Sequence, residues 1–194
     1  MKPAEGAILD AFGEAFRAID LLIERQLIQS ALVLLYSTLD AAAWLGVSGD
    51  GDVTQKDFCS WADRYLLPDS DLPCTSLELY AARCGVVHSL TAFSRLSRDG
   101  KVRALAYAHG SASTKDLNEV AGILGRKDLV GVHVQSLRDA LFSGMQRFLD
   151  DASTEPNRWE NVRQRARRLF SNLPQSRITN ALKVLNDPNT RRQP

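Results

Sequence analysis

The chain has 194 residues, 44% apolar and 24% charged with a net charge of +1, the profile of an ordinary globular protein long enough for one core and a small extension. Its three cysteines, Cys59, Cys74 and Cys84, are odd in number and lack CxxC spacing, which excludes a disulfide framework or zinc knuckle and points to a reducing cytoplasm. The small net charge conceals a division: residues 1–157 hold 15 Lys/Arg against 21 Asp/Glu, and residues 158–194 hold 9 against 2, so an acidic body carries a basic tail suited to a polyanionic partner or to docking on that body.

Pro3 and Glu5 interrupt the first nine residues, so the opening does not read as a secretory leader. From Ala4 to Leu22, apolar residues including Ile8, Phe12, Phe16 and Ile19 recur at helical spacing and predict an amphipathic helix. Leu27 to Leu45 is apolar on nearly every side, as a central bundle helix should be. A membrane span is the rival, but Asp40 interrupts the run, and Arg25 and Asp50 bracket it too closely for a comfortable crossing of about 20 residues. No membrane association is expected. Gly46 to Asp57 mimics a calcium loop with Gly51 at the turn, yet the first ligand position would fall on Gly46, which has no side-chain oxygen. Thr54 and Asp57 read instead as a helix cap opening a third helix to Leu67.

After a proline-framed turn, Ser76 opens a fourth helix, expected to run to about Leu96. Beyond it, alternation at Val102–Ala108 and at Val130–Val134 leaves room for a small two-stranded ribbon. Helices are expected over Lys115–Leu124 and Leu137–Leu149, and Asp150–Asn157 reads as a linker. Residues 1–150 thus form the main helical domain, and residues 151–194 a linker with a basic helical extension. In that extension, Trp159, Val162, Ala166 and Leu169 mark an apolar stripe, and a shorter helix is expected from Gln175 to Leu185. Arg163, Arg165, Arg167 and Arg168 can follow a nucleic-acid backbone, with Trp159 or Phe170 available for stacking; equally, the stripe can lay the helix on the bundle.

Chemistry concentrates in Arg83-Cys84-Gly85-Val86-Val87-His88 on the fourth helix. Arginine offers a fork of donors suited to phosphate, and histidine can move a proton near neutral pH. Five residues place the two side chains about 140° apart on a straight helix. They would converge if Gly85 loosens the turn or if two copies meet across a twofold axis. Asp40 and Glu78 are candidate carboxylate partners for Arg83, and Cys84 is a thiol beside it. No P-loop, GxSxG, Rossmann fingerprint or HExxH occurs, so neither cofactor nor metal is expected.

Four helices in succession, with Arg-x4-His on the fourth and an acidic residue, Asp40, on the apolar second, resemble the HEPN superfamily over about residues 5–98. The resemblance implies a mainly α, antiparallel helical bundle acting as a homodimer, and a metal-independent endoribonuclease leaving 2′,3′-cyclic phosphate ends. In that scheme His88 serves as general base or acid and Arg83 holds the scissile phosphate, with Asp40, Glu78 and Cys84 in support. The residue after the arginine is usually polar in the family, and Cys84 departs from that pattern. A stress or phage-defence setting and an antitoxin-like protein partner follow from the same resemblance. The expected function is therefore RNA cleavage or RNA binding at a dimeric Arg83/His88 site, and the alternative is a non-catalytic interaction or assembly module.

Overall fold

A helix with one apolar stripe, followed by a helix apolar on nearly all sides, sets the architecture. In the computed structural model, which describes residues 3–169 together with Thr179 and Lys183, α1 spans Pro3–Glu24 and α2 spans Ile28–Leu45. α1 sends Ile8, Phe12, Phe16 and Ile19 inward. α2 buries residues around much of its circumference, among them Leu32, Leu35, Tyr36, Leu39 and Ala42. It is the one helix among the described residues long and apolar enough to cross a membrane, and half of that stretch is buried against the protein itself. Its neighbours include α1 and each of the helices α3, α4, α7 and α8 introduced next.

α3 (Gln55–Trp61) starts at the expected Thr54/Asp57 capping box. It then widens into a π-helical turn over Ala62–Leu66. Arg147 donates from Nε and Nη2 to the Tyr65 carbonyl at 3.0 and 2.6 Å, satisfying a group that the widened turn leaves over. Gly144 makes the approach possible, because a Cβ there would stand 2.8 Å from Tyr65 O.

α4 spans Ser76–Ser89, seven residues short of the expected end at Leu96. Leu90 terminates it in the left-handed region at φ 51°, and Thr91 N donates back to Gly85 O at 3.1 Å. The chain turns on itself so closely that a Cβ on Gly85 would lie 2.6 Å from Thr91 O. A short α5 (Arg95–Arg98) follows. Gly85 therefore admits the returning chain instead of loosening the helix.

The expected ribbon is β1 (Ala104–Ala108) paired with β2 (Leu129–His133). The strands run parallel, in register from Ala104↔Leu129 to Ala108↔His133, so they need a crossover, and α6 (Thr114–Ile123) supplies it. The pair joins the bundle through Tyr107, whose hydroxyl lies 2.6 Å from that of Tyr36 on α2. α7 (Val134–Ser153) begins before and ends after the expected Leu137–Leu149. The Asp150–Asn157 stretch is thus mostly helical and not a linker: only Thr154 and Glu155 separate α7 from α8 (Pro156–Ala166). Pro156 opens α8 where a missing N–H costs nothing, and Val162 and Ala166 join the common core. The fold is mainly α-helical, with the basic α8 laid on the bundle. The helix expected at Gln175–Leu185 lies outside the described residues except for Thr179 and Lys183.

Candidate functional site between α2 and α4

The Thr75/Glu78 capping box fixes the start of α4, and from there the helix carries Arg83 and His88 toward its exposed end. Arg83 Nη2 donates to Asp40 Oδ2 on α2. Its Nη1 lies 3.2 Å from His88 Nε2 and 4.0 Å from Cys84 Sγ. The guanidinium, on a long flexible stem, curls along the helix and reaches a histidine on a different face. Neither a loosened turn nor a second copy is needed to bring the two together. Because a guanidinium can only donate, His88 Nε2 must accept in this arrangement, with the ring proton on Nδ1.

Burial alone would pull the Arg83 guanidinium down, but the Asp40 carboxylate beside it holds it above its usual value. Asp40 Oδ1 and Arg83 Nε are buried and without hydrogen-bond partners, so the protein leaves the pair incompletely satisfied. Burial also raises the Tyr80 hydroxyl, with Cys84 next to it adding to the shift. Glu78 is not part of this cluster. It takes a bidentate contact from Arg103 at 2.6 and 3.1 Å and accepts from Thr75 N. Burial opposes its ionisation, yet these donors together hold the carboxyl below its ordinary value.

No family model, curated protein or solved structure matches this chain.

Asp40 and Arg83 border an open groove of about 480 Å³. Ser37, Asp40 and Trp44 lie on one stripe of α2, and they line the groove together with Arg83 on α4 and Asp52 from the loop after α2. His88 is exposed outside the groove's lining and touches it through Arg83. Trp44 escaped the sequence reading, although it stands four residues after Asp40 and therefore on the same helical face. Trp159, one of the rings expected to stack, is partly buried against the core as Trp44 is, but it is not among the residues that line this groove, and Phe170 falls outside the described residues.

The four arginines expected to bind nucleic acid do not act as a set. Arg165 is 2% exposed, stacks on Trp44 at 4.6 Å, and donates to the carbonyls of Gly49 and Gly51. It is inaccessible to a phosphate backbone because it is buried as the cation that the calcium-like loop wraps. Burial holds its guanidinium below the usual value, with Arg168 nearby acting in the same direction. Arg168 pairs with Asp50 at 3.0 Å and Arg163 with Glu160 at 3.2 Å; Arg167 is exposed. The basic helix therefore docks on the acidic body. Among the described residues, no group of three His, Cys, Asp or Glu side chains is placed to hold a metal ion.

Proposed function

We propose that the protein is a metal-independent RNA endonuclease of the HEPN type acting at Arg83 and His88, which meet within one chain; the homodimer follows from the HEPN resemblance and not from that contact. The observation that carries this reading is the Asp40–Arg83–His88 chain: a carboxylate anchors an arginine whose Nη1 stands 3.2 Å from an imidazole nitrogen, at the edge of an open groove. Arg83 would move its free donors onto the scissile phosphate. His88 Nε2, then released, would take the proton of the ribose 2′-hydroxyl as that oxygen attacks phosphorus. The P–O5′ bond breaks as the 5′-oxygen takes a proton from water, and a 2′,3′-cyclic phosphate remains; the proton held by His88 then returns to solvent. Stabilising the charge that develops on phosphorus falls to Arg83. A stress or defence role, with an antitoxin-like partner holding the activity in check, fits the same reading.

A second reading is favoured by the Asp40 contact itself. The carboxylate compensates the arginine's charge and ties α2 to α4, as a non-catalytic interaction module would need, and the adjacent Cys84 is a weak hydrogen-bonding group. The deciding experiment incubates a mixed RNA pool without divalent metal with wild type and His88→Ala, at matched fold and oligomeric state. The nuclease reading expects cyclic-phosphate ends from wild type and a loss of about 10²-fold or more in the variant. Intact RNA in both samples would favour the interaction module.

A further inference from the structure

The groove beside Arg83 holds more than a phosphate clamp needs. Ser37, Asp40 and Trp44 follow one another at i, i+3 and i+7 on α2, so the indole lies one helical turn beyond the carboxylate that anchors Arg83. Trp44 is only partly buried although its neighbours Ala43 and Leu45 are fully inside. The ring is also held in place: Arg165 sits 4.6 Å and Arg168 5.6 Å from its centroid, and Arg165 is itself fixed by two loop carbonyls. A partly buried aromatic ring, held by guanidinium groups of Arg165 and Arg168 and lining the same groove as Arg83, has the make-up of a stacking platform. The groove's volume of about 480 Å³ lies within the range of small-ligand sites, about 300–1,000 Å³. Asp52, on the loop after α2, offers a carboxylate to hydroxyl or amino donors, the groups that a ribose or a base edge presents.

We infer that this groove is a single-nucleotide subsite for single-stranded RNA, in which the base stacks on Trp44 while the neighbouring phosphate is held by Arg83. It rests on the nuclease reading for the choice of RNA, and it adds that the groove, not the basic α8, supplies the principal contact to the strand. Stacking on an aromatic ring tolerates every base, so the subsite fixes the strand's path without selecting sequence. Asp52 adds polar contacts at the rim.

The test uses full-length protein and a short, mixed-sequence single-stranded RNA carrying 4-thiouridine. Equilibrium binding is measured in the His88→Ala background to suppress cleavage, with and without Trp44→Ala or Trp44→Phe. Stacking of about 1–3 kcal/mol per base corresponds to roughly 5- to 150-fold weaker binding for Trp44→Ala, with Trp44→Phe retaining most of the affinity. Photo-crosslinking on otherwise unaltered protein avoids any folding defect of the variants and is expected to mark Trp44. If adducts fall only on α8 or elsewhere, or if Trp44→Ala in a folded protein binds as tightly as its parent, the subsite is refuted. Wild-type cleavage measured in parallel separates the two claims. Cleavage with Trp44-independent binding sinks the subsite and leaves the nuclease standing. Trp44-dependent binding without cleavage does the reverse, and no detectable RNA binding refutes the subsite outright.

Discussion

At the scale of single residues, Arg83 does two things that lysine cannot. Its Nη2 engages Asp40 while its Nη1 reaches His88, two contacts made from separate nitrogens of one planar fork, where lysine has all its donors on a single nitrogen. On the nuclease proposal, Arg83→Lys is therefore expected to fold but to lose at least about 10-fold in RNA cleavage, equivalent to about 1.4 kcal/mol of lost transition-state stabilisation, as measured by initial rates on a defined oligonucleotide. Gly85 shows a different kind of residue-level constraint. Its Cβ would meet a backbone oxygen, Thr91 O at 2.6 Å, which cannot swing aside as the tip of a side chain would. Gly85→Ala should cost about 1–3 kcal/mol in urea unfolding, despite alanine's better helix propensity. A stabilised Gly85→Ala protein would show that the return from Leu90 does not hold α4 in place.

At the scale of elements, α4 is secured at both ends by unrelated devices: a capping box at Thr75 and the left-handed stop at Leu90. Glu78 belongs to the first of these and also takes the Arg103 contact. Because its carboxyl is held below its ordinary value in the folded protein, its contribution is fully present above the unfolded value of about 4.3. It is lost as the pH falls from there through the lower folded value. Glu78→Gln should therefore flatten the acid limb of a stability–pH profile while leaving a deficit near neutrality. An unchanged acid limb would sink this assignment. The π-helical turn at Ala62–Leu66 is similarly a two-element feature, since its leftover carbonyl at Tyr65 is satisfied only by Arg147 from α7.

At the scale of the whole molecule, α8 closes the bundle through one buried cation. Arg165 links the Gly46–Val53 loop, Trp44 and α8. Its stacking and its bonds to the carbonyls of Gly49 and Gly51 offset part of the cost of taking the charge out of water, while Nε and Nη1 stay buried without hydrogen-bond partners. Arg165→Ala should lower stability by about 2–4 kcal/mol, the scale on which breaking a buried charged network acts. It should also expose both the loop and α8 to limited proteolysis, read by mass spectrometry of early fragments. Cleavage confined to other sites would mean that Val162 and Ala166 alone hold the helix down. The charge division of the chain thus finds part of its use inside the molecule, where Arg158 of α8 meets Asp151 and Arg168, just beyond α8, meets Asp50.

Sequence alone determined the helical character, the central position of α2, the Thr54 cap of α3 and the presence of a strand pair, because each is written in local periodicity or in residues three apart. It also singled out Asp40, Arg83 and His88 as side chains of interest. Tertiary structure decided what local pattern cannot contain. The parallel sense of β1 and β2 depends on α6 crossing between them, and the early end of α4 depends on a chain that returns against Gly85. Glu78 went to Arg103 and Arg165 went to a loop more than a hundred residues earlier in the chain, since a guanidinium takes whichever acceptors the packed helices bring to it. Trp44 became part of the groove by the same route: its helical face was legible, but only the packing of α4 and the 50–53 loop against α2 made that face the wall of a groove.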